Sequence, residues 1–399
     1  MKKMIRKSII ICLLIFIFTT LIACSKRLDD FTNDNFTSLP TPIENTIDNN
    51  SFQPMINTSE MFTQRDLTNT VDKSQAISLF LKNNEDYLID KEGIYLLSGD
   101  YTNTTIIVEV SDNEKVQLIL DGVNITNDNH ACIYVENADK LFVTTISNSS
   151  LTVTNMFESS NDKIDAVIYS KDDLTLNGIA TLTVNSSETA IKCNDDLTIT
   201  SAEYIINAQK KGIDANNSIA IANGIFTINA KTDGLHAENN DDDSLGYIYI
   251  ADGTFNINAA DDGIHATSVL QIDSGNFTLQ AHEAIESTYI QINGGQFNIS
   301  AYDDGINAAR KSSSYSPVIE INSGTIKIVI ANGDHDAIDS NGDLIITGGI
   351  IDITSNSAFD YDGKCYYSSG TIIVNGQQVD SITPNNFNGG KGGNRKPNH

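Results

Sequence analysis

From about residue 85 onward the chain alternates apolar and polar residues in short runs, as in Tyr247-Ile248-Tyr249-Ile250 and Asn298-Ile299-Ser300-Ala301. Each run is closed by glycine, asparagine or aspartate. Period-two alternation over so few residues, punctuated in this way, predicts strands joined by turns and leaves no room for helices. The runs are also ordered. Gly212-Ile213-Asp214-Ala215 leads into a short strand, Asn223-Gly224, and Ile225-Phe226-Thr227-Ile228. Related phrases begin at Gly263 and Gly305, so the repeat is about 22 residues long. A period in this range describes a solenoid whose coils stack one on the next. The expected fold is all-β: a single-stranded parallel β-helix with three short strands per coil, right-handed like other parallel crossovers.

Taking the apolar residue after the small one as the index gives Val167, Ile191, Ile213, Leu235, Ile264, Ile285, Ile306, Ile338 and Phe359. Gly178, Gly224, Gly253, Gly275, Gly295, Gly324 and Gly349 then fall between second and third strands, where a turn needs positive φ; Ala202 breaks that column. Phe226, Phe255, Phe277 and Phe297, followed by Ile326 and Ile351, form an expected interior ladder. Insertions at Glu238–Gly246 and Arg310–Pro317 fall at one corner, where solenoids often flank a binding face.

The ends read differently. Lys2, Lys3, Arg6 and Lys7 precede the apolar run Ile9–Ile17, which predicts a secretion signal over 1–23. Leu21-Ile22-Ala23-Cys24 resembles the bacterial lipoprotein processing box, which implies lipidation of Cys24 and a membrane anchor. Residues 24–72 are polar and predict a disordered tether; 73–376 predict the β-helix, with irregular capping coils over 73–165 and a short helical cap near Lys73–Leu81. Residues 377–399 form a Gly/Asn-rich tail.

A net charge of −27 disfavours nucleic acid and any plain electrostatic hold on an anionic polymer. Of five cysteines, Cys132, Cys193 and Cys365 remain after the leader and Cys24, without a Cys-x-x-Cys pair. Cys193 shares the small-residue column with Ala215, Ala237 and Ala266 and is expected to be buried.

The repeat also superposes acids. Asp233, Asp262, Glu283, Asp304 and Asp336 precede successive first strands, with Asp261, Asp303 and Asp334 beside them. Three residues further on come Asp214, His236, His265, Glu286, Asn307 and Asp339, facing outward. Carboxylates stacked about 4.8 Å apart repel. Calcium, with oxygen ligands at about 2.3–2.6 Å, would relieve that repulsion. The candidate calcium ligands are therefore Asp214, Asp233, Asp261, Asp262, Glu283, Glu286, Asp303, Asp304, Asn307, Asp336 and Asp339. Solvated turn aspartates are the alternative. The two histidines read more readily as surface polar groups than as ligands.

The recurring Asp-Gly-Ile phrase and the Gly-x-Phe-x-Ile strand resemble the carbohydrate-binding β-helix domain family of clostridial surface proteins, over residues 85 to 376. The resemblance implies a pectate-lyase-like fold, bound calcium, and plant cell-wall polysaccharides such as cellulose or polygalacturonate as partners. On the sequence alone, Tyr247, Tyr249 and Tyr289 with Gln271, Gln291 and Glu320 form a candidate sugar face on the second strands. No tryptophan supports it. A lyase would need calcium and a basic residue of lowered pKa, for which Lys192, Lys210, Lys211, Lys231 and Arg310 stand nearest the acids. Acidic neighbours work against that base. An adhesin without sugar specificity is the third reading.

Overall fold

Each coil lays down three strands, as in Ile213–Ala215, Ser218–Ile221 and Ile225–Ala230, and the next coil repeats them as Leu235–Ala237, Tyr247–Ile250 and Thr254–Asn258. A computed structural model describes residues 54–158, 164–331, 333 and 335–383. The leader, Cys24, the tether up to residue 53, Asp334 and the tail from residue 384 lie outside the described residues. From coil to coil the strands pair in parallel with their counterparts: Ile213 with Leu235, Ile219 with Ile248, Phe226 with Phe255. The fold is thus an all-β parallel solenoid with three sheets, one for each strand position.

The interior is filled by ladders. Tyr204, Phe226, Phe255, Phe277 and Phe297 stack with ring centroids 4.5–5.2 Å apart, and Ile326 and Ile351 continue the column. The turn before each ring explains its glycine. At Gly275, φ is +126° and a Cβ would sit 2.9 Å from the Phe277 ring. Ala202 takes the same left-handed position with φ 85°. Cys193 lies buried in line with Ala215 and Ala237.

Four expectations change. The index of the first coil is Ile168, which pairs with Ile191, rather than Val167. No α-helix forms over 73–81. Asp72 accepts from Ser74 N at the start of a single 3₁₀ turn, Lys73–Gln75. Beyond it Leu79 and Leu81 are buried while Ser78 and Phe80 are exposed, a period-two pattern that selects extended chain. Residues 54–72 are not a free tether but pack along the solenoid. The tail begins with a strand, Gln377–Val379, that pairs antiparallel with Thr371–Val374 and covers the final edge.

Candidate functional site

The first-strand sheet superposes the chemistry-bearing residues. Lys192, Asp214, His236, His265, Glu286, Asn307, Asp339 and Asp360 stand in register in eight successive coils. Their neighbours three residues back include Asp262 opposite Glu283, and Asp304, whose Oδ1 accepts from Asp336 N at 3.0 Å. The column faces away from the apolar interior, as expected. Yet Asp214, His236, His265, Glu286 and Asn307 are all buried, because each covers the next.

Charge compensation splits the column in two. In its N-terminal half the acids already have cations. Asp214 lies 2.9 Å from His236 Nδ1 and 3.1 Å from Lys211 Nζ, with Lys192 at 3.8 Å. Burial alone would raise its carboxyl; the His236 hydrogen bond and the two lysines instead hold it near about 2. His265 Nδ1 bridges Asp262 at 2.7 Å and Glu286 at 2.9 Å, and Lys311 reaches Glu286 at 2.9 Å. Burial would lower His265, but the two carboxylates raise it to about 9. The rings of His236 and His265 stack 4.8 Å apart. These histidines are neither free surface groups nor the gap that a cation must fill. Asp214, Asp262 and Glu286 are held by protein cations, so the repulsion expected of them is already met. Asp233 accepts from Asp262 N at 3.3 Å, and Asp261 is exposed.

In the C-terminal half compensation runs out. Burial, with Glu286 and Asp262 nearby, raises Glu283 to about 7. Burial and the neighbouring Asp303 and Asp336 raise Asp304 to about 6. Burial and four surrounding aspartates, Asp304, Asp336, Asp360 and Asp362, raise Asp339 to about 7. Asn307 donates to Glu283 at 2.9 Å and Glu286 at 3.4 Å, while its buried Oδ1 has no partner. Asp303 faces His335 and His282. Asp360 and Asp362 escaped the sequence reading because the repeat phrase fades in the last coil. A second cluster, Asp173, Asp195 and Asp196, was also missed, since it sits at the turn before the second strands rather than the first.

The second-strand face is occupied. Tyr249, Gln271, Gln291 and Glu320 do form one column, with Tyr289 beside them. Residues 55–66 lie across that column. Met55 N donates to Gln291 Oε1 at 3.0 Å and Ile56 N to Gln271 Oε1 at 2.8 Å, and Phe62 meets the Tyr249 ring at 6.0 Å. Further along, Asp66 accepts from Thr175 Oγ1 at 2.7 Å and Arg65 caps the Phe142 ring at 4.2 Å. Gln271 and Gln291 are consequently 0% exposed. The half-buried residues are also engaged internally: Tyr289 donates to Glu320 at 2.6 Å, and Tyr247 bonds with Ser218. The expected open sugar face is a covered one. A polar stretch with few apolar residues gave no sign that it would dock. Its anchors are backbone N–H groups and Asp66, which hydropathy does not register.

The third-strand face is open. On Thr254–Asn258, Asn276–Ala281 and Gln296–Ala301 the alternate residues Thr254, Asn256, Asn258, Asn276, Thr278, Gln280, Gln296, Asn298 and Ser300 are all exposed. They are in register in three columns. None is charged.

The geometry therefore defines a parallel β-solenoid with one acid-rich sheet, one strapped sheet and one open sheet. The chain belongs to the family described as carbohydrate-binding domain-containing proteins, which matches residues 83–334 and 283–384. A relative of that description from Acetivibrio thermocellus is 36% identical over 126 residues, which is 30% of this chain and 44% of the relative. The chain thus matches less than half of that relative's length. A solved structure, the polysaccharide lyase-like protein from C. thermocellum as a gadolinium derivative, aligns with a TM-score of 0.40 and 24% identity, covering 73% of this chain and 87% of the other.

Proposed function

We propose that the protein binds polysaccharide without turning it over, on a solenoid whose C-terminal acid column holds calcium, and that it is displayed outside the cell on a lipid carried by Cys24. The observation that carries the binding reading is the family match across the coils. The donor set supports calcium. Glu283, Asp304, Asp339 and Asn307 offer oxygen alone, which suits a hard cation. Asn307 Oδ1 is a buried acceptor with no protein donor, the state a cation would satisfy. A cation there would supply the positive charge that Lys211, His265 and Lys311 supply in the earlier coils.

The lyase reading is disfavoured by its base. Lys192 is surrounded by Asp165 at 3.2 Å and Asp214 at 3.8 Å. Burial would lower its pKa, yet these acids raise it, away from what proton abstraction needs. Lys311, paired with Glu286, is raised in the same way.

Native electrophoresis through gels cast with soluble polysaccharide tests the reading. The protein should be retarded by at least one polymer, and EDTA should weaken the retardation. Equal mobility in every gel would refute binding; retardation indifferent to EDTA would remove calcium from the account. Radiolabelled palmitate should enter the protein in cells and be lost in Cys24→Ser; label retained in the variant would refute the anchor.

A further inference from the structure

The three sheets are not equally available to a ligand. The first-strand column is buried from Asp214 to Asn307, and the second-strand column lies beneath residues 55–66. The third-strand sheet presents an uncovered surface at the coils beginning at Thr254, Asn276 and Gln296.

That surface has two unusual properties. It is uncharged in a chain where charged residues make up 19% and the net charge is −27. Charged side chains normally concentrate at exposed positions, yet all nine outward positions here are Thr, Asn, Gln or Ser. It is also a lattice: the middle column Asn256, Thr278, Asn298 repeats at the coil rise of about 4.8 Å, and its flanking columns stand about 6.6 Å to either side. Amides and hydroxyls each donate and accept. Among the described residues, the Asn column in the preceding coils uses this capacity internally, Asn207 donating to Asn185 at 3.0 Å and Asn229 to Asn207 at 3.1 Å. In the three open coils these groups are left to outside partners. Tyr302, 58% exposed, follows two residues after Ser300 and sets an aromatic ring at the border.

We propose that this lattice is the polysaccharide platform and that its ligand is an uncharged, hydroxyl-rich polymer lying along the solenoid axis. This rests on the polysaccharide-binding reading above and adds the face and the ligand class. A polymer that repeats by translation meets a surface that repeats by translation, so each added coil adds the same hydrogen bonds. Hydroxyls, which also donate and accept, match every lattice position. A polyuronate would meet no cation among these nine positions, with Lys327 in the following coil the next residue in the middle column, and would be repelled by the acidic remainder of the molecule.

The test uses the full chain with swollen cellulose as the neutral polymer and polygalacturonate as the charged one. Two variants are compared with wild type: Asn256→Ala/Thr278→Ala/Asn298→Ala, and the single Thr278→Arg, which retains a readout if the triple variant fails to fold. The expected result is wild-type binding to cellulose, at least a tenfold loss in both variants, and unchanged melting temperature. Wild-type binding with undiminished binding by the variants would overturn the platform while leaving the function standing. Binding to polygalacturonate alone would overturn the ligand class. A wild type that binds neither polymer would overturn both this inference and the function beneath it. If light scattering shows a wild-type dimer that the variants convert to monomers, the lattice is an interface between copies and the proposal fails.

Discussion

The backbone N–H of Ile56 donates to Oε1 of Gln271 across 2.8 Å, joining residues 215 positions apart. This bond and its neighbour from Met55 to Gln291 dock the segment that precedes the first strand onto the middle of the solenoid. Asp66 is the firmest anchor. It is buried, and its carboxylate accepts from Thr63 and Thr175 and lies 3.6 Å from Lys140. Asp66→Ala should leave Thr175 Oγ1 without its acceptor and Lys140 without a neighbouring carboxylate, at about 1–3 kcal/mol for the buried hydroxyl orphaned. Limited proteolysis should then cut within residues 55–70 while the coils stay resistant. Uncut protein with an unchanged melting temperature would show that the segment is not held by these contacts.

The aromatic ladder makes a sharper stability prediction. Phe255 stacks between Phe226 at 4.8 Å and Phe277 at 4.7 Å. Phe255→Ala should cost about 3–5 kcal/mol by opening a cavity in the column. Phe255→Leu, close in volume, should cost less than about 1.5 kcal/mol. Denaturant titration of the two variants checks the ordering, and equal losses would contradict it.

Both ladders bear on how much the sequence discloses. The Gly224-to-Gly349 column and the Phe226-to-Phe297 rings were legible because each has one steric cause repeated at one period. Register carried the acid columns equally well: Asp214, His236 and His265 fall where counting put them. What counting could not supply was compensation. Lys211 and Lys311 reach their acids by side-chain direction, a property with no period. The docking of residues 55–66 was illegible for a related reason, since its hydrogen-bond partners on the coils lie 109 to 236 positions away.

His265 gives the first pH prediction. Its folded value of about 9 exceeds its ordinary 6.5. The stability it contributes is fully present below about 6.5 and is lost as pH rises through about 9. His265→Gln should flatten the stability profile between those limits. A profile identical to wild type would mean that His265 does not carry the charge bridging Asp262 and Glu286.

The C-terminal acids give a test of the same sign in a lower pH window. In calcium-free protein Glu283, Asp304 and Asp339 sit at about 7, 6 and 7. Between roughly pH 4, where free carboxylates lose their protons, and pH 7, the folded chain holds protons that the unfolded chain has released. Stability of the calcium-free protein should therefore fall as pH rises through that window. Added calcium should restore it at pH 7, and Asp304→Asn/Asp339→Asn should be stable there without calcium and respond little to it. Melting curves with and without EDTA at several pH values report this directly. A calcium-free protein whose stability rises across the window would contradict the burial argument.

The most direct measurement of the central claim mixes the full chain with insoluble polysaccharide, sediments the polymer, and assays both the protein left in solution and the sugar released. The account predicts saturable depletion of protein with no soluble sugar accumulating over time. Protein that stays in solution with every polymer, or sugar that accumulates in proportion to enzyme and time, would contradict it.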